Sequence, residues 1–206
     1  MSKYLWLFDP GHGGIVAGNY LTAGRRSPQW EDNFPQLFEG EFNRSIMRRL
    51  NEMCHYAGIE YVNIVSEDDD TALVMRVKRA NDIYINKTNC IYLSIHSNSG
   101  GGSGFEVWTS KGDTGSDMFA DVFYNNFMNT FAFDKNIKYR VDFSDGDADK
   151  ESNFYVLRNT KMPAVLTESL FMDNPYECKK YLLTREGRDL IAEAHFRAIV
   201  EIELGL

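Results

Sequence analysis

Short unbroken apolar runs alternate along this chain with longer stretches whose apolar residues recur three and four positions apart. Residues 4–8, Tyr4-Leu5-Trp6-Leu7-Phe8, have no polar break, which predicts a strand covered on both faces. Residues 59–65, 91–95, 105–109 and 164–167 read as further strands. Between them the period changes to that of a helix. Phe42, Ile46, Leu50, Met53 and Ala57 predict a helix over 41–57, with Gly58 as its stop. Leu73, Val77, Ala80 and Tyr84 predict one over 72–85, entered through the acidic turn 66–70, where negative charge favours a helix N-terminus. Phe119, Ala120, Phe123 and Phe127 predict a third over 116–130. The stretches 174–183 and 186–204 predict two more, the last with Ala192, Phe196, Ile199 and Val200 facing inward. Strands alternating with helices imply an α/β fold: a single domain over residues 1–206, with a twisted, mostly parallel sheet and helices on both faces. Residues 15–40 and 131–153 fit neither period and predict loops. A loop as long as the first, rich in aromatics, is often a lid or binding segment.

Composition narrows the function classes. Apolar residues make up 43% of the 206 and charged residues 25%, enough for an ordinary core. The net charge of −8 argues against nucleic acid, since phosphate binding needs a basic face. No stretch is long enough to span a bilayer. Cys54, Cys90 and Cys178 are too scattered for a disulfide framework or a zinc knuckle and predict reduced core residues. Lys3 precedes only a short apolar run, so no signal peptide is expected, and with no internal repeat or linker visible no separate binding or targeting module is expected either. The expected location is the cytoplasm at synthesis, with action elsewhere after release. The aspartates of 131–153 (Asp142, Asp145, Asp147, Asp149) lack the closing glutamate of a calcium loop.

Candidate chemistry gathers at strand ends. The first run stops at Asp9-Pro10-Gly11-His12-Gly13-Gly14, leaving one imidazole on a sharp turn. The strand at 91–95 runs into His96-Ser97-Asn98. Glu168 ends the strand at 164–167, and Glu39 and Glu41 stand at the start of the first helix. In an open α/β sheet, ligands bind at these carboxyl ends. Two histidines and a carboxylate form a catalytic zinc set with one position left open, and a further carboxylate can move protons there. His55 and His195 fall inside predicted helices and read as ordinary. The glycine turn lacks both the spaced glycines of a dinucleotide fingerprint and the Gly-Lys-Ser/Thr of a P-loop.

Asp9-Pro10-Gly11-His12-Gly13-Gly14, Glu39 ahead of Asn43, Ser94-Ile95-His96-Ser97-Asn98, Pro163-Ala164-Val165-Leu166-Thr167-Glu168, Phe171-Met172-Asp173-Asn174 and Arg76-Val77-Lys78-Arg79-Ala80-Asn81 together resemble the zinc-dependent N-acetylmuramoyl-L-alanine amidases of the type-3 family, in the manner of a phage or prophage endolysin. The resemblance spans nearly the whole chain in the correct order. It implies hydrolysis of the amide between N-acetylmuramic acid and L-alanine of peptidoglycan. It implies one Zn2+ held by His12, Glu39 and His96, and Glu168 as acid/base. Glu39 is preferred to Glu41 because the family's ligand lies four residues before the helix asparagine. Asn98 and the loop residue Trp30, with Phe34 nearby, are expected to contact peptidoglycan. The loop before Glu39 is longer and more aromatic than is usual for the family, and Ser97 stands where alanine is more frequent. Competing readings are another zinc peptidase of cell-wall peptides, a non-catalytic wall-binding module on the same fold, and a nucleotide-binding protein using the glycine turn.

Overall fold

Each apolar run becomes a strand of one sheet. In the computed structural model, described for residues 2–31, 33–143, 146 and 148–205, the chain runs β1 (Leu5–Pro10), β2 (Ile15–Val16), β3 (Asn19–Tyr20), α1 (Glu39–Ala57), β4 (Tyr61–Asn63), α2 (Leu73–Asn86), β5 (Cys90–Asn98), β6 (Phe105–Thr109), α3 (Asp117–Phe131), β7 (Lys150–Glu151), α4 (Tyr155–Asn159), β8 (Ala164–Phe171), α5 (Pro175–Glu177) and α6 (Arg185–Leu204). A π-helical turn, Cys178–Leu182, joins α5 to α6. The sheet order is β4-β1-β5-β8-β6-β7. Every pairing is parallel except β6 with β8. A single α/β layer arrangement results, with the mostly parallel sheet that the alternating pattern implies.

Side-chain alternation on β1 explains its unbroken apolar run. Trp6 and Phe8 point into the larger core, among Ile46 and Leu50 of α1, Phe123 and Phe127 of α3, and Ile199 of α6. Leu5 and Leu7 point the other way, into a smaller core with Val77 and Ala80 of α2 and Val156 and Leu157 of α4. Both faces of the strand are therefore dry, and each such large side chain contributes about 1.5–3 kcal/mol by leaving water. Helix α1 ends at Gly58 in the left-handed region (φ 68°), as its sequence predicts. Ala192 and Ile199 of α6 face the core as expected, whereas Phe196 and Val200 are only partly buried and Ile191, Ala194, His195, Ala198 and Ile202 complete the inward face; the helix packs on both α1 and α3.

The loop at 15–40 is more ordered than its sequence suggests. β2 and β3 form a small hairpin whose corner, Ala17-Gly18, has positive φ at both residues (48° and 79°), as a two-residue hairpin turn needs. Further on, Ser27 N–H donates to the Leu37 carbonyl and Glu39 N–H to the Arg25 carbonyl. In the 131–153 segment, Asp134 accepts from Lys180, Tyr176 and Tyr181. Asp149 is buried and accepts from the Thr109 hydroxyl. Asp145 and Asp147 lie outside the described residues. All three cysteines are free and buried.

His195 illustrates a structural histidine. Its Nδ1 lies 2.7 Å from the Ile191 carbonyl and its Nε2 2.9 Å from the Thr167 hydroxyl, so Nδ1–H donates and Nε2 accepts. Burial lowers its pKa from 6.5 to about 4. The unfolded chain therefore takes up a proton between pH 6.5 and 4 that the fold refuses, so stability falls as pH falls through that window. The expected loss is roughly 3 kcal/mol in all. Denaturant melts at stepped pH check this, and His195→Gln should flatten the slope.

Candidate active site

The carboxyl ends of β1 and β5 and the middle of β8 line one cleft of about 590 Å³; Glu168, expected to end its strand, lies inside β8, which continues to Phe171. His12 follows β1 on a backbone that few non-glycine residues adopt, at φ 65°. Two buried arginines hold it there. Arg44 of α1 donates to the His12 carbonyl at 2.8 Å, and Arg76 of α2 donates to the same oxygen at 3.1 Å. Arg76 also donates to the Pro10 carbonyl and to Asp9, whose other oxygen accepts from the Tyr92 hydroxyl. Asn43 of α1 donates to the Gly11 carbonyl at 3.0 Å. The turn is thus gripped from three sides by side chains whose hydrogen-bonding groups would otherwise be stranded in the interior.

Two glycines are required by close approach. A Cβ on Gly11 would lie 2.0 Å from the His96 ring, and one on Gly40 would lie 1.8 Å from the Gly13 carbonyl oxygen. Their absence of side chains lets the β5 imidazole and the start of α1 reach the turn. Helix α1 begins two residues earlier than its hydrophobic stripe implies. No side chain of its N-cap residue, Phe38, caps it. The loop instead supplies acceptors: the Arg25 carbonyl for Glu39 N–H, and the Tyr20 hydroxyl for Gly40 N–H.

That early start places Glu39 between the two rings. Its Oε1 lies 3.2 Å from His12 Nε2 and 3.1 Å from His96 Nδ1. The rings are edge-on, with centroids 5.0 Å apart. Glu41 points away and forms a two-bond ion pair with Arg188. Burial pushes the Glu39 carboxyl up, but hydrogen bonds and charge from the two histidines outweigh it and hold the pKa at about 2. Burial holds His96 below its ordinary value, against the pull of Glu39, so its lone pair is available. One ligand atom from each of the three residues falls within 4.8 Å of the others, and Glu39 Oε2 is buried without a hydrogen-bond partner. Two imidazoles and a carboxylate with an unspent buried oxygen fit a divalent ion of the zinc class with one position open.

Glu168 lies in register between His96 on β5 and Glu106 on β6, so the three side chains form one row across the sheet. Its Oε2 is buried with no partner. Burial, then the nearby charges of Glu39 and Glu106, push its carboxyl well above the usual range, against a smaller opposing pull from Arg25. Such a carboxyl keeps its proton to a higher pH than an exposed carboxylate does. Glu106 is anchored by Arg140 and Lys150 and accepts from Asn98 Nδ2 at 2.7 Å. Asn98 lines the cleft.

The structure brings His12, Glu39, His96, Asn98 and Glu168 to one cleft and leaves Trp30 out. The Trp30 ring packs against the larger core, and Lys179 Nζ lies 5.0 Å from it and 5.1 Å from Phe34. The expectation that these aromatics line the entrance is therefore not met. The loop reaches the cleft through Arg25 instead. Arg25, Arg44, Tyr92 and Glu106 carry no motif signal by themselves. The glycine turn is no phosphate cradle either. Gly11 N–H donates to the Ile95 carbonyl, Gly13 N–H to the Thr22 hydroxyl and Gly14 N–H to the Asp68 carbonyl.

The chain is similar to one group of known proteins. The family described as N-acetylmuramoyl-L-alanine amidase matches residues 7–201. The sporulation-specific N-acetylmuramoyl-L-alanine amidase of Bacillus subtilis strain 168 is 34% identical over 190 residues, covering 91% of this chain and 63% of the relative. An endolysin of Bacillus phage SPP1 is 28% identical over 213 residues, covering 98% and 66%. The solved structure of an N-acetylmuramoyl-L-alanine amidase from Clostridium difficile 630 superposes with a TM-score of 0.73 at 25% identity, covering 100% of this chain and 98% of that one. The chain spans less than two thirds of the length of the first curated relatives it matches.

Proposed function

The chain belongs to the N-acetylmuramoyl-L-alanine amidase family, and from that premise we propose that it hydrolyses the amide joining N-acetylmuramic acid to the L-alanine of peptidoglycan. The observation that carries the reading is the row of His96 and Glu168, with Glu168's partnerless oxygen beside the His12–Glu39–His96 cluster. His12, Glu39 and His96 would hold a single zinc ion. When bound, zinc supplies Lewis acidity toward the amide carbonyl and makes water a better acid. Glu168 accepts the proton of the attacking water and returns it to the departing alanine nitrogen, so each turnover leaves the enzyme's proton count unchanged. Its raised proton affinity suits both halves of that transfer. Glu106 keeps Asn98 fixed on the cleft wall, where its remaining amide hydrogen can meet the substrate. Arg44 and Arg76 act earlier, holding the His12 backbone so that its ring meets Glu39.

Digestion of purified peptidoglycan followed by mass analysis tests the reading. Intact stem peptides beginning with L-alanine should appear. A chelator should abolish their release, and added zinc should restore it. Peptides cut between amino acids, with the muramyl amide intact, would instead identify a peptidase and overturn the proposal.

A further inference from the structure

Arginine and lysine side chains lining the cleft are Arg25 and Arg76. Arg76 is committed to Asp9 and to backbone carbonyls. Arg25 has no carboxylate or carbonyl partner for its side chain among the described residues, although its main chain is fixed by the bond from Glu39 N–H to its carbonyl, 3.0 Å long. The next residue, Arg26, behaves differently. Its guanidinium stands 5.5 Å from the Tyr20 and Phe38 rings, on an isolated bridge to Phe38. The two arginines are thus sorted, one onto an aromatic surface and the other into the cleft.

Charge balance gives that free cation a purpose. The other side of the ledger is acidic: Glu39, Glu168 and Asp70 line the same cleft, on a chain of net charge −8. A bound zinc ion would balance charge at Glu39, while an anionic group held away from the metal would be attracted by Arg25. Arg25 is exposed and sits on the loop between His12 and Glu39. It belongs to the rim, whereas the proton-transferring oxygen of Glu168 is buried. A rim cation is suited to a group several bonds from the reacting amide. A guanidinium's planar fork matches a carboxylate in two parallel hydrogen bonds.

We propose that Arg25 is a specificity-determining residue that binds a free carboxylate on the stem peptide, on the residue following the L-alanine. This rests on the peptidoglycan reading above. Because Arg25 bonds to Glu39 through its main chain alone, side-chain substitutions leave that bond in place.

The test is direct binding to the zinc-loaded Glu168→Gln protein, which does not require turnover. Calorimetry compares N-acetylmuramoyl-L-alanyl-D-glutamate blocked as its γ-methylamide, which keeps a free α-carboxylate, with the α-carboxamide of the same γ-methylamide, so that the two differ only in that carboxylate. The carboxylate form should bind roughly ten-fold more tightly. Adding Arg25→Gln should erase the difference, and Arg25→Lys should keep part of it. Equal affinities with Arg25 present, a preference that survives Arg25→Gln, or no measurable binding of either peptide would each overturn the assignment. Failure of the amidase reading appears separately, as intact muramyl amides after wall digestion by the unmodified protein.

Discussion

Glu168→Gln is expected to fold, to hold its metal, and to lose turnover by roughly 10²–10⁴-fold, the range for removing a general acid–base. The substitution conserves size and keeps a hydrogen-bonding head group, so β8 and its pairing with β5 and β6 should persist. It removes the group that can take up and release a proton. Zinc analysis and peptidoglycan cleavage on this one variant separate three roles. Retained zinc with collapsed turnover is the expected result. Lost zinc would make Glu168 a ligand, and near-normal turnover would make it a strand residue without chemical duty. The pH profile adds a signature. Burial and the charges of Glu39 and Glu106 raise the Glu168 carboxyl above its usual range. A base at Glu168 would be protonated, and attack suppressed, as pH falls through that raised value. The acid limb of kcat/KM should lie above the ordinary carboxylate pKa of 4.5 and should be absent from the residual activity of Glu168→Gln.

Arg76→Leu is expected to cost about 3–5 kcal/mol, the penalty for breaking a buried ion pair by removing one partner. Arg76 and Asp9 are both almost fully buried, with side chains 2% and 1% exposed. Without the guanidinium, Asp9 keeps, among the described residues, only the Tyr92 hydroxyl, and the Pro10 carbonyl loses its side-chain donor. For a chain of this size the melting temperature should drop by on the order of 10 °C. Adding Asp9→Asn removes the stranded charge and should return part of that loss. Metal affinity should not return with it, because the His12 carbonyl would still lack one of its two arginines. Recovery of stability and metal binding together in the double variant would show that the ion pair, and not the grip on His12, is what matters at this position.

Much of the architecture is local and therefore readable along the chain. The unbroken run at Leu5–Phe8 has to be covered on both faces, because nothing polar in it can face water. The helical stripe of α1 and its stop at Gly58 follow from spacing and from one left-handed residue. The chemical groups are legible for a related reason. His12 and His96 sit where apolar runs give out, toward the carboxyl ends of β1 and β5, and strand ends in an α/β sheet are where function collects; Glu168 was legible only as the polar break in an apolar run, since β8 continues past it to Phe171. What the chain order could not supply is register and direction. Whether Glu39 or Glu41 faces the histidines depends on where α1 begins, and that is decided by acceptors from the distant Arg25 carbonyl and Tyr20 hydroxyl. The aromatic loop reads as a substrate platform, yet Trp30 packs against the core and Arg25 lines the cleft, on a loop folded back by pairing between residues 25–27 and 37–39. The sequence by itself determined the layered α/β fold and the set of groups available at its strand ends, since both follow from periodicities a few residues long. Only the tertiary structure decided that Arg44 and Arg76 meet on one carbonyl and that Glu168 stands beside His96 and Glu106, since these contacts join residues far apart in the chain and exist only once the sheet register is set.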